Sequence, residues 1–562
     1  MSGGLLERSL RELAAEPASI SSSGYPYLPP AGYRRLRDGV PHLFAMGQAC
    51  LDAVHSLTDE LGEEGVLALR VVRQVVLTAA LTAPPDLWLL RNLLCVLHRH
   101  GLIDPLLEGG AVIPEETGLD AHQVRIALDF LAARGLVEPY DLAFRIAGHP
   151  RVPEVLRLGR VEVPVSATAA WRAALEGDPA GAAESRDLVR MTPVYPRRSA
   201  FQNHWVPTAG EVDIGHQLVP LVLALRSRDL TQRTANEAWG TVFPDPDVDA
   251  KARSILTAAG WLRDGIVTGL GARGFRRGPG PFGIIETYHP YLSAADALFA
   301  GGSAPIWVER GENVAASQDA NRATFVKAND ALDRFCADHA FAFDVFVEHA
   351  VGKGEATRIR YGRDGDRLTY IGADLEDAAI DAAVAEQREG RLPASMTFVR
   401  NADIGRPERI VDALPEHAQG VVMMVGNGFH EVRGQTDASM VEVFRGYHDA
   451  GIVLIFTEEN ALSSDDIRET AYNTYHAAFR YVHALSGQGL RPADRRPPSR
   501  SGHLLPTAWA ECGRQAGYVP VPEYTVRSRT IFPAPNADGH NPSISVTHFF
   551  VPGPLASRLG IS

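Results

Sequence analysis

Cysteine is scarce in this sequence, and long apolar runs are missing. The chain has 562 residues but only four cysteines, which are far apart and form no CxxC pair. The sequence therefore offers no disulfide framework and favours a reducing compartment. No uncharged apolar run reaches the roughly 20 residues of a membrane span, and the first residues lack the apolar core of a secretory signal. We expect a soluble, cytoplasmic protein with no membrane partner.

Basic residues are also fewer than acidic ones. The sequence has 55 Lys and Arg against 68 Asp and Glu, which gives a formal net charge of −13 at pH 7. A general nucleic-acid binder needs a basic surface that neutralises phosphates. The composition therefore argues against a nucleic-acid partner and leaves a small-molecule substrate open. A chain of this length has room for several domains, because one core rarely serves more than about 250–300 residues.

Helical patterns dominate the first 300 residues. Residues 112–137 (VIPEETGLDAHQVRIALDFLAARGLV) read as a helix, a turn at Gly118, a second helix and a stop at Gly135, which resembles a winged helix-turn-helix. The second helix has few basic side chains, so a dimerisation or lid role is favoured over DNA reading. A similar pattern begins at residue 250. The sequence predicts a helical, winged-helix-like domain at 1–155, and a linker with a second winged-helix-like dimerisation domain at 156–300.

Strand and helix patterns alternate from residue 342 onward. This alternation predicts a mostly parallel sheet covered by helices on both faces. A Pro- and Asn-rich loop joins the last two strands and predicts an antiparallel hairpin at the sheet edge. The predicted fold class is α/β, with a seven-stranded Rossmann-like domain at 301–562 after the mainly helical domains. The predicted strands are 343–348, 368–372, 396–400, 420–425, 451–457, 518–526 and 543–550.

Acidic residues and glycines follow the first three of these strands. Glu348 precedes Gly352 and Gly354, which open a helix. Glycines let the backbone approach a ligand closely, and a helix N-terminus offers unpaired N–H groups. Asp374, twenty residues after Gly354, can accept hydrogen bonds from a ribose, and Asp403 can meet an adenine amino group. Because the carboxyl ends of parallel strands share one edge, we expect one ligand site there.

On these residues, the C-terminal part resembles the class I S-adenosylmethionine-dependent methyltransferases. The stretch Glu348-x-Ala350-x-Gly352-x-Gly354 is similar to their acidic, Gly-rich first motif, with Glu in place of Asp and Ala350 in place of the first Gly. The ribose acid also fits NAD dehydrogenases, but the edge hairpin and a His after the fourth strand favour a methyltransferase. The resemblance implies S-adenosylmethionine as cofactor and a homodimer. The implied cofactor residues are Glu348, Ala350, Gly352, Gly354, Asp374, Leu375, Asp403, Ile404 and Asn427.

A finer resemblance concerns the methyl acceptor. The segments RGENVAASQDANRATFVKANDALDRFC, VFVEHAVGKGEATR and YVHALSGQGLRPAD are similar to methyltransferases that alkylate the β-carbon of 2-oxo acids, and the 2-ketoarginine methyltransferases are the nearest. This implies C-methylation of a substrate such as 5-guanidino-2-oxopentanoate in secondary metabolite biosynthesis. One alternative is O-methylation of a phenolic or hydroxylated natural product. Another, from a different class, is a ligand-responsive winged-helix regulator.

His430 is the predicted catalytic base. It follows the fourth strand, where the winged-helix O-methyltransferases keep their catalytic His, and an imidazole is well matched to proton removal near neutral pH. His476 and His483 are seven residues apart and share one helix face. His430 and His483 are a candidate iron site, since a metal would polarise the carbonyl of a 2-oxo acid. The predicted substrate-binding residues are His476, His483, Glu458, Glu459 and Tyr472, with the two Glu side chains facing a cationic guanidinium.

Overall fold

The computed structural model describes residues 3–20, 24, 26–188, 205–303, 306, 311–494, 506–530 and 543–561. Within them the chain forms two compact units. The first comprises Met1–Val308 and Ser463–Leu485, and the second comprises Glu309–Leu462, Ser486–Thr530 and Pro542–Ser562. Ser463–Leu485, called here the inserted segment, therefore groups with the N-terminal unit, although the sequence assigned it to 301–562. The further division of the N-terminal part at residue 155 stays a prediction.

The first unit is mainly helical and is built around Glu63–Arg99, a helix of 37 residues. This helix is long and apolar enough to cross a membrane, but 56% of its most apolar stretch is buried within the protein, as in a core helix. Ala209–Arg226 packs along it. The other helices are Gly3–Ala14, Pro30–Gly39, Phe44–Thr58, Ile103–Leu107, Ala121–Ala133, Val152–Arg157, Thr168–Leu175, Pro179–Leu188, Pro246–Ala258, Gly269–Arg277, Pro279–Glu286, His289–Ser293, Ala295–Phe299, Ser464–Thr470 and His476–Leu485.

Small antiparallel sheets follow the two helices that the sequence associated with winged-helix units. After Ala121–Ala133, Gly135 takes a left-handed φ of 73° and ends the helix. The winged-helix identity of both regions, and dimerisation through them, stay predictions. In one sheet, Ala143–Ile146 lies between Ala111–Val112 and Val137–Tyr140; in the other, Leu262–Arg263 pairs with Ile266–Val267, and Ser19–Ile20 also pairs with Pro26–Tyr27.

A buried ion pair holds the inserted segment in the first unit. Arg134 Nη2 lies 3.0 Å from Asp86 Oδ2, and both side chains are almost completely buried. Arg134 also donates to the carbonyl of Ala471 at 2.9 Å, and Asp86 accepts the backbone N–H of Ala478 at 2.9 Å. The guanidinium lies over the ring of Tyr472. Because removal of one partner of a buried pair leaves an uncompensated charge, these contacts fix the segment firmly.

The second unit contains one mixed sheet. Its strands are β1 Val345–His349, β2 Thr369–Ala373, β3 Thr397–Val399, β4 Val421–Gly426, β5 Ile452–Glu459, β6 Tyr518–Pro520, β7 Val526–Thr530 and β8 Ser543–Pro552. Their spatial order is β3-β2-β1-β4-β5-β8-β6, and β7 also pairs with β8. Strands β1 to β5 run parallel, while β8 is antiparallel to its neighbours. The order reverses direction between β1 and β4, where open α/β sheets bind ligands.

The predicted count of seven strands is corrected to eight among the described residues. Each predicted strand is present within a few residues, but the sixth is divided into β6 and β7 by the 3₁₀ turn Pro522–Tyr524. Proline has no N–H to donate to a ladder, so Pro522 interrupts the pairing. The antiparallel pairing of the last two predicted strands is confirmed by β7 and β8. Residues 531–542 between them lie outside the described residues.

Helices cover both faces of the sheet. Met423 and Met424 on β4 point to opposite faces, because side chains alternate along a strand. Met423 belongs to a core cluster with Phe444 and Trp509, whereas Met424 belongs to a second cluster with Phe335. Burial on both faces explains the continuous apolar run VVMMV. The helices are Gly311–His339, Glu355–Asp364, Asp377–Arg388, Glu408–Val411, Asp437–Asp449, Trp509–Gln515 and Gly553–Leu559.

Candidate active site

The carboxylate of Glu348 connects β1 to the helix that follows it. It accepts the backbone N–H groups of Ala356 at 3.1 Å and Thr357 at 2.7 Å, in the first turn of Glu355–Asp364. Burial raises the pKa of Glu348 to about 7, although these hydrogen bonds lower it. A negative group is favourable at a helix N-terminus. Glu348 therefore fixes the ends of the intervening loop.

The loop between β1 and this helix has a left-handed backbone at three positions. The φ angles are 57° at Ala350, 49° at Gly352 and 74° at Gly354. A Cβ on Gly354 would lie 2.7 Å from the side chain of Leu392, so only glycine fits there. Ala350 adopts the left-handed conformation despite its Cβ, at a cost of about 1–2 kcal/mol. The loop thus keeps its turn although Ala350 replaces a glycine of the motif.

Asp374 follows β2 and reaches back to the glycine loop. Its carboxylate accepts the backbone N–H groups of Gly352 at 3.3 Å and Glu376 at 3.0 Å. Burial raises its pKa above the ordinary value for Asp. The next residue, Leu375, is 45% exposed, which is unusual for a large apolar side chain. A carboxylate and an apolar surface are therefore adjacent at this strand end.

The segments that follow β1, β3 and β4 meet at Gly428. A Cβ on Gly428 would lie 3.0 Å from Ile404 and 3.9 Å from Ala350. Asp403, beside Ile404, accepts the backbone N–H of Gly405 at 2.8 Å. Asn427 has a left-handed φ of 55°, and its buried Oδ1 has no hydrogen-bond partner among the described residues. Ala350 and Ile404 are thus brought close to Gly428, next to Asn427, whose Oδ1 has no partner among the described residues.

His430 lies between two carboxylates on the 3₁₀ turn Phe429–Glu431. Its Nδ1 is 2.7 Å from Glu458 Oε2, and its Nε2 is 3.1 Å from Glu431 Oε1. Glu458 Oε1 also accepts the backbone N–H groups of Phe429 at 2.6 Å and His430 at 3.3 Å. Burial raises the pKa of Glu458 to about 8. Glu458 thus orients the imidazole at Nδ1, while Glu431 lies beside Nε2.

The two acidic residues at the end of β5 differ in their surroundings. Glu458 is fully buried and directed at His430, so the structure does not support its predicted contact with a guanidinium. Glu459 pairs with Ser545 of β8 in the sheet register and is also buried. Its side chain leaves the strand on the opposite face, because successive residues alternate. A contact between Glu459 and the substrate stays a prediction.

The remaining predicted substrate residues are buried within the first unit. His483 Nδ1 lies 2.7 Å from the carbonyl oxygen of Phe479, and the centroids of the two rings are 4.0 Å apart with the planes tilted by 41°. His476 Nδ1 lies 3.4 Å from Thr474 Oγ1. Tyr472 lies under Arg134 in the buried ion-pair cluster. Substrate binding by His476, His483 and Tyr472 stays a prediction.

The predicted iron site has no support in the structure. In the described part of the chain, no group of three or more His, Cys, Asp or Glu side chains could hold a metal ion. His430 presents each ring nitrogen to a carboxylate oxygen of Glu458 or Glu431, and His483 presents Nδ1 to a backbone carbonyl. Sequence spacing had indicated which histidines share a helix face but not which groups their nitrogens contact.

His349, at the end of β1, is a buried polar residue for which the sequence pattern indicated no role. Neither ring nitrogen has a hydrogen-bond partner among the described residues, and burial lowers its pKa to about 4. Unpaired buried polar groups cost about 1–3 kcal/mol. The side chain is therefore neutral near pH 7 and destabilises the fold.

We expect His349→Leu to raise the free energy of unfolding by about 1–2 kcal/mol, because it removes two unpaired polar atoms. Urea denaturation measures this change. The unfolded state binds a proton near pH 6.5 and the folded state only near pH 4. The unsubstituted protein therefore loses stability as the pH falls through this window, and the gain is larger at about pH 5 than at pH 8. The exposed His417→Leu is the control, and a loss of stability in His349→Leu would contradict the prediction.

No protein-family model matches the chain, and no curated protein matches it. It is similar in structure to the carbon methyltransferase CurJ, with 10% identity over 91% of this chain and 99% of that one and a TM-score of 0.41. It is also similar to NcsB1, an O-methyltransferase from neocarzinostatin biosynthesis (18% identity, 59% and 94% coverage, TM-score 0.31). A third is the dimethyltransferase RosA from Streptomyces davawensis (14% identity, 82% and 95% coverage, TM-score 0.26). All three of these proteins are methyltransferases.

Proposed function

We propose that the second unit binds S-adenosylmethionine and transfers its methyl group to a small molecule. The observation that carries this proposal is the meeting of a left-handed glycine loop, the Asp374 carboxylate and the Asn427 acceptor at the switch point of a parallel sheet. Nucleotide-like ligands bind at such points in open α/β sheets. The net charge of −13 agrees with a small-molecule substrate better than with a nucleic acid.

The residues present fit a nucleoside with a charged amino-acid tail. Asp374 would accept hydrogen bonds from the ribose hydroxyls, and the exposed side chain of Leu375 would cover one face of the adenine. Asp403 and the unpartnered Oδ1 of Asn427 are acceptors suited to an amino donor. The left-handed loop at Gly352 and Gly354 allows the backbone to approach the ligand closely.

The pair of His430 and Glu458 supplies a base for the acceptor. S-adenosylmethionine provides an activated methyl group, and the acceptor atom that attacks it must lose a proton. Glu458 contacts His430 at Nδ1, and the nitrogen proposed to take this proton is Nε2, which lies 3.1 Å from Glu431. Orientation of the acceptor in line with the methyl group supplies much of the rate. The leaving group is the neutral thioether, S-adenosylhomocysteine.

For the acceptor, we favour the β-carbon of a 2-oxo acid of the 2-ketoarginine type, in secondary metabolism. The support is the resemblance of three sequence segments to enzymes of that kind. O-methylation of a phenolic compound is the second candidate, because a carboxylate-supported His430 can equally take a hydroxyl proton. A homodimer in the cytoplasm is part of the same proposal, and it rests on composition and the same resemblance.

The test is to incubate the full chain with methyl-labelled S-adenosylmethionine and a panel of 2-oxo acids and phenols, and to read products by mass spectrometry. The expected product carries one additional labelled methyl group. Fragmentation that places the label on the β-carbon supports the 2-oxo acid, and a label on oxygen supports the second candidate. Failure to bind the cofactor, together with the absence of any methylated product, would overturn the proposed function.

A further inference from the structure

Three arginines of the first unit lie where two of its helices meet. Arg73 is on the helix of 37 residues, and Arg273 and Arg277 are on Gly269–Arg277. Residues four apart share a helix face, so Arg277 follows Arg273 on one face. Arg73 precedes Leu77 in the same way on the other helix. Arg273 Nε donates to the carbonyl of Leu77 at 2.9 Å, which joins the two faces. We call these three arginines the arginine cluster.

The guanidinium groups of the cluster are close enough to act on one another. Arg273 is half-buried, and burial together with the positive charges of Arg277 and Arg73 lowers its pKa. Among the described residues, no carboxylate acts on Arg273, and its printed side-chain hydrogen bond goes to a neutral carbonyl. None of the three arginines forms an ion pair within the described ranges. The cluster is therefore a concentration of positive charge without a counter-charge.

This arrangement contrasts with the rest of an acidic protein. The net charge of the chain is −13, and the two preceding arginines in the sequence both have carboxylate partners. Arg253 lies 2.7 Å from Asp249, and Arg263 lies 2.5 Å from Asp52. Helix-end charge does not explain the cluster either. Although cations are favourable at a helix C-terminus, the positive end of the next helix, Pro279–Glu286, directly follows and opposes that effect.

The chemistry of the cluster matches a compact oxyanion. A guanidinium presents its N–H donors in a planar fork that fits the oxygens of a phosphate in pairs. Arg73 and Arg277 are exposed, whereas Arg273 is anchored on Leu77, so two accessible guanidiniums accompany one fixed guanidinium. Charges gathered at one place suit a single multiply charged group better than an extended acidic peptide.

We propose that the arginine cluster binds a phosphate group, as free inorganic phosphate or as the phosphate of a small-molecule ester. The bound anion neutralises the repulsion among the three guanidiniums and therefore stabilises the folded chain by mass action. The site lies on helices of the first unit and does not depend on the proposed methyl transfer.

A double variant of the full chain tests the proposal. Arg73→Gln with Arg277→Gln removes the two exposed charges and leaves Arg273 on its anchor. We expect the affinity for inorganic phosphate, measured by isothermal titration calorimetry, to fall at least about tenfold, because charge-assisted hydrogen bonds are lost. The matched control is Arg157→Gln with Arg226→Gln, which changes two exposed arginines elsewhere in the same unit and should leave phosphate binding unchanged. Unchanged binding in the cluster variant, or no binding by the unsubstituted chain, would overturn the proposal.

Thermal unfolding separates the loss of the site from a loss of folding. Without phosphate, the cluster variant should unfold at the same temperature as the unsubstituted chain or higher, because repulsion between like charges is removed. A lower temperature would contradict the repulsion on which the proposal rests. With phosphate, the unsubstituted chain should gain more than the variant. Sodium chloride of equal ionic strength is the reference for screening, and equal gains in the two salts would overturn the proposal.

A comparison of probes identifies the form in which the phosphate group is bound. Tighter binding of phenyl phosphate than of inorganic phosphate supports an ester as the ligand, and the reverse order supports the free ion. Binding of an oligoglutamate peptide but of neither phosphate compound would overturn the proposal and assign the cluster to an acidic protein partner.

Discussion

Asp374→Ala is expected to weaken the binding of S-adenosylmethionine by about a hundredfold or more. The carboxylate would accept two ribose hydroxyls, and a hydrogen bond to a charged group contributes about 1.5–3 kcal/mol. Two such bonds correspond to roughly 10²–10⁴ in affinity, since each 1.4 kcal/mol is a factor of about ten. The substitution also removes the acceptor of the Gly352 N–H, which loosens the glycine loop. Isothermal titration calorimetry on the full chain measures the loss.

Gly352→Val tests the same site from the loop side. Gly352 has a φ of 49°, which a β-branched residue adopts only with strain, and a side chain there would extend toward the proposed cofactor site. We expect loss of binding comparable to that of Asp374→Ala. Asp381→Ala, which changes an exposed carboxylate on a helix of the same unit, is the control and should bind normally. Normal binding in both site variants would show that the cofactor does not occupy this site.

His430→Gln is expected to lower kcat for methyl transfer by about 10²–10⁴, the usual contribution of a positioned general base. The affinity for S-adenosylmethionine should change little, because His430 is not one of the proposed cofactor residues and its ring contacts Glu458 and Glu431. Single-turnover assays with saturating cofactor measure the chemical step. His417→Gln on the surface is the matched control. Full activity in His430→Gln would assign the proton transfer to another group.

The parallel strands and the residues at their ends could be predicted because both follow from short sequence patterns. Buried parallel strands read as apolar runs between helical patterns, and their carboxyl ends meet at one edge whatever their separation in sequence. Glu348, Asp374 and Asp403 consequently lie at or just after the carboxyl ends of β1, β2 and β3, as the sequence indicated. The division of the sixth strand could have been predicted as well, since Pro522 is visible in the sequence and excludes a continuous ladder.

The contacts of the histidines could not be predicted in the same way. The pairing of His430 with Glu458 depends on the register of β4 against β5 and on a short turn. The hydrogen bond from Gln488 to Glu431 joins residues 57 positions apart. Periodicity placed His476 and His483 on one face of one helix, but the buried ion pair of Asp86 and Arg134 is part of what holds that helix in the first unit. These contacts depend on which side chains are buried together in three dimensions, and the sequence pattern does not reveal this.

The position of the inserted segment has a consequence for synthesis on the ribosome. Domains usually fold in the order in which they are translated. Here the N-terminal unit lacks two helices until residue 485 has emerged, and by then the whole of Glu309–Leu462 has been made. Asp86 and Arg134 therefore lack two hydrogen-bond partners, the N–H of Ala478 and the carbonyl of Ala471, until these residues have been synthesised. A nascent chain that stops at residue 308 would expose the surface around Asp86 and Arg134 that the inserted segment covers. The N-terminal unit, although translated first, is therefore expected to finish folding only after residue 485 has been made.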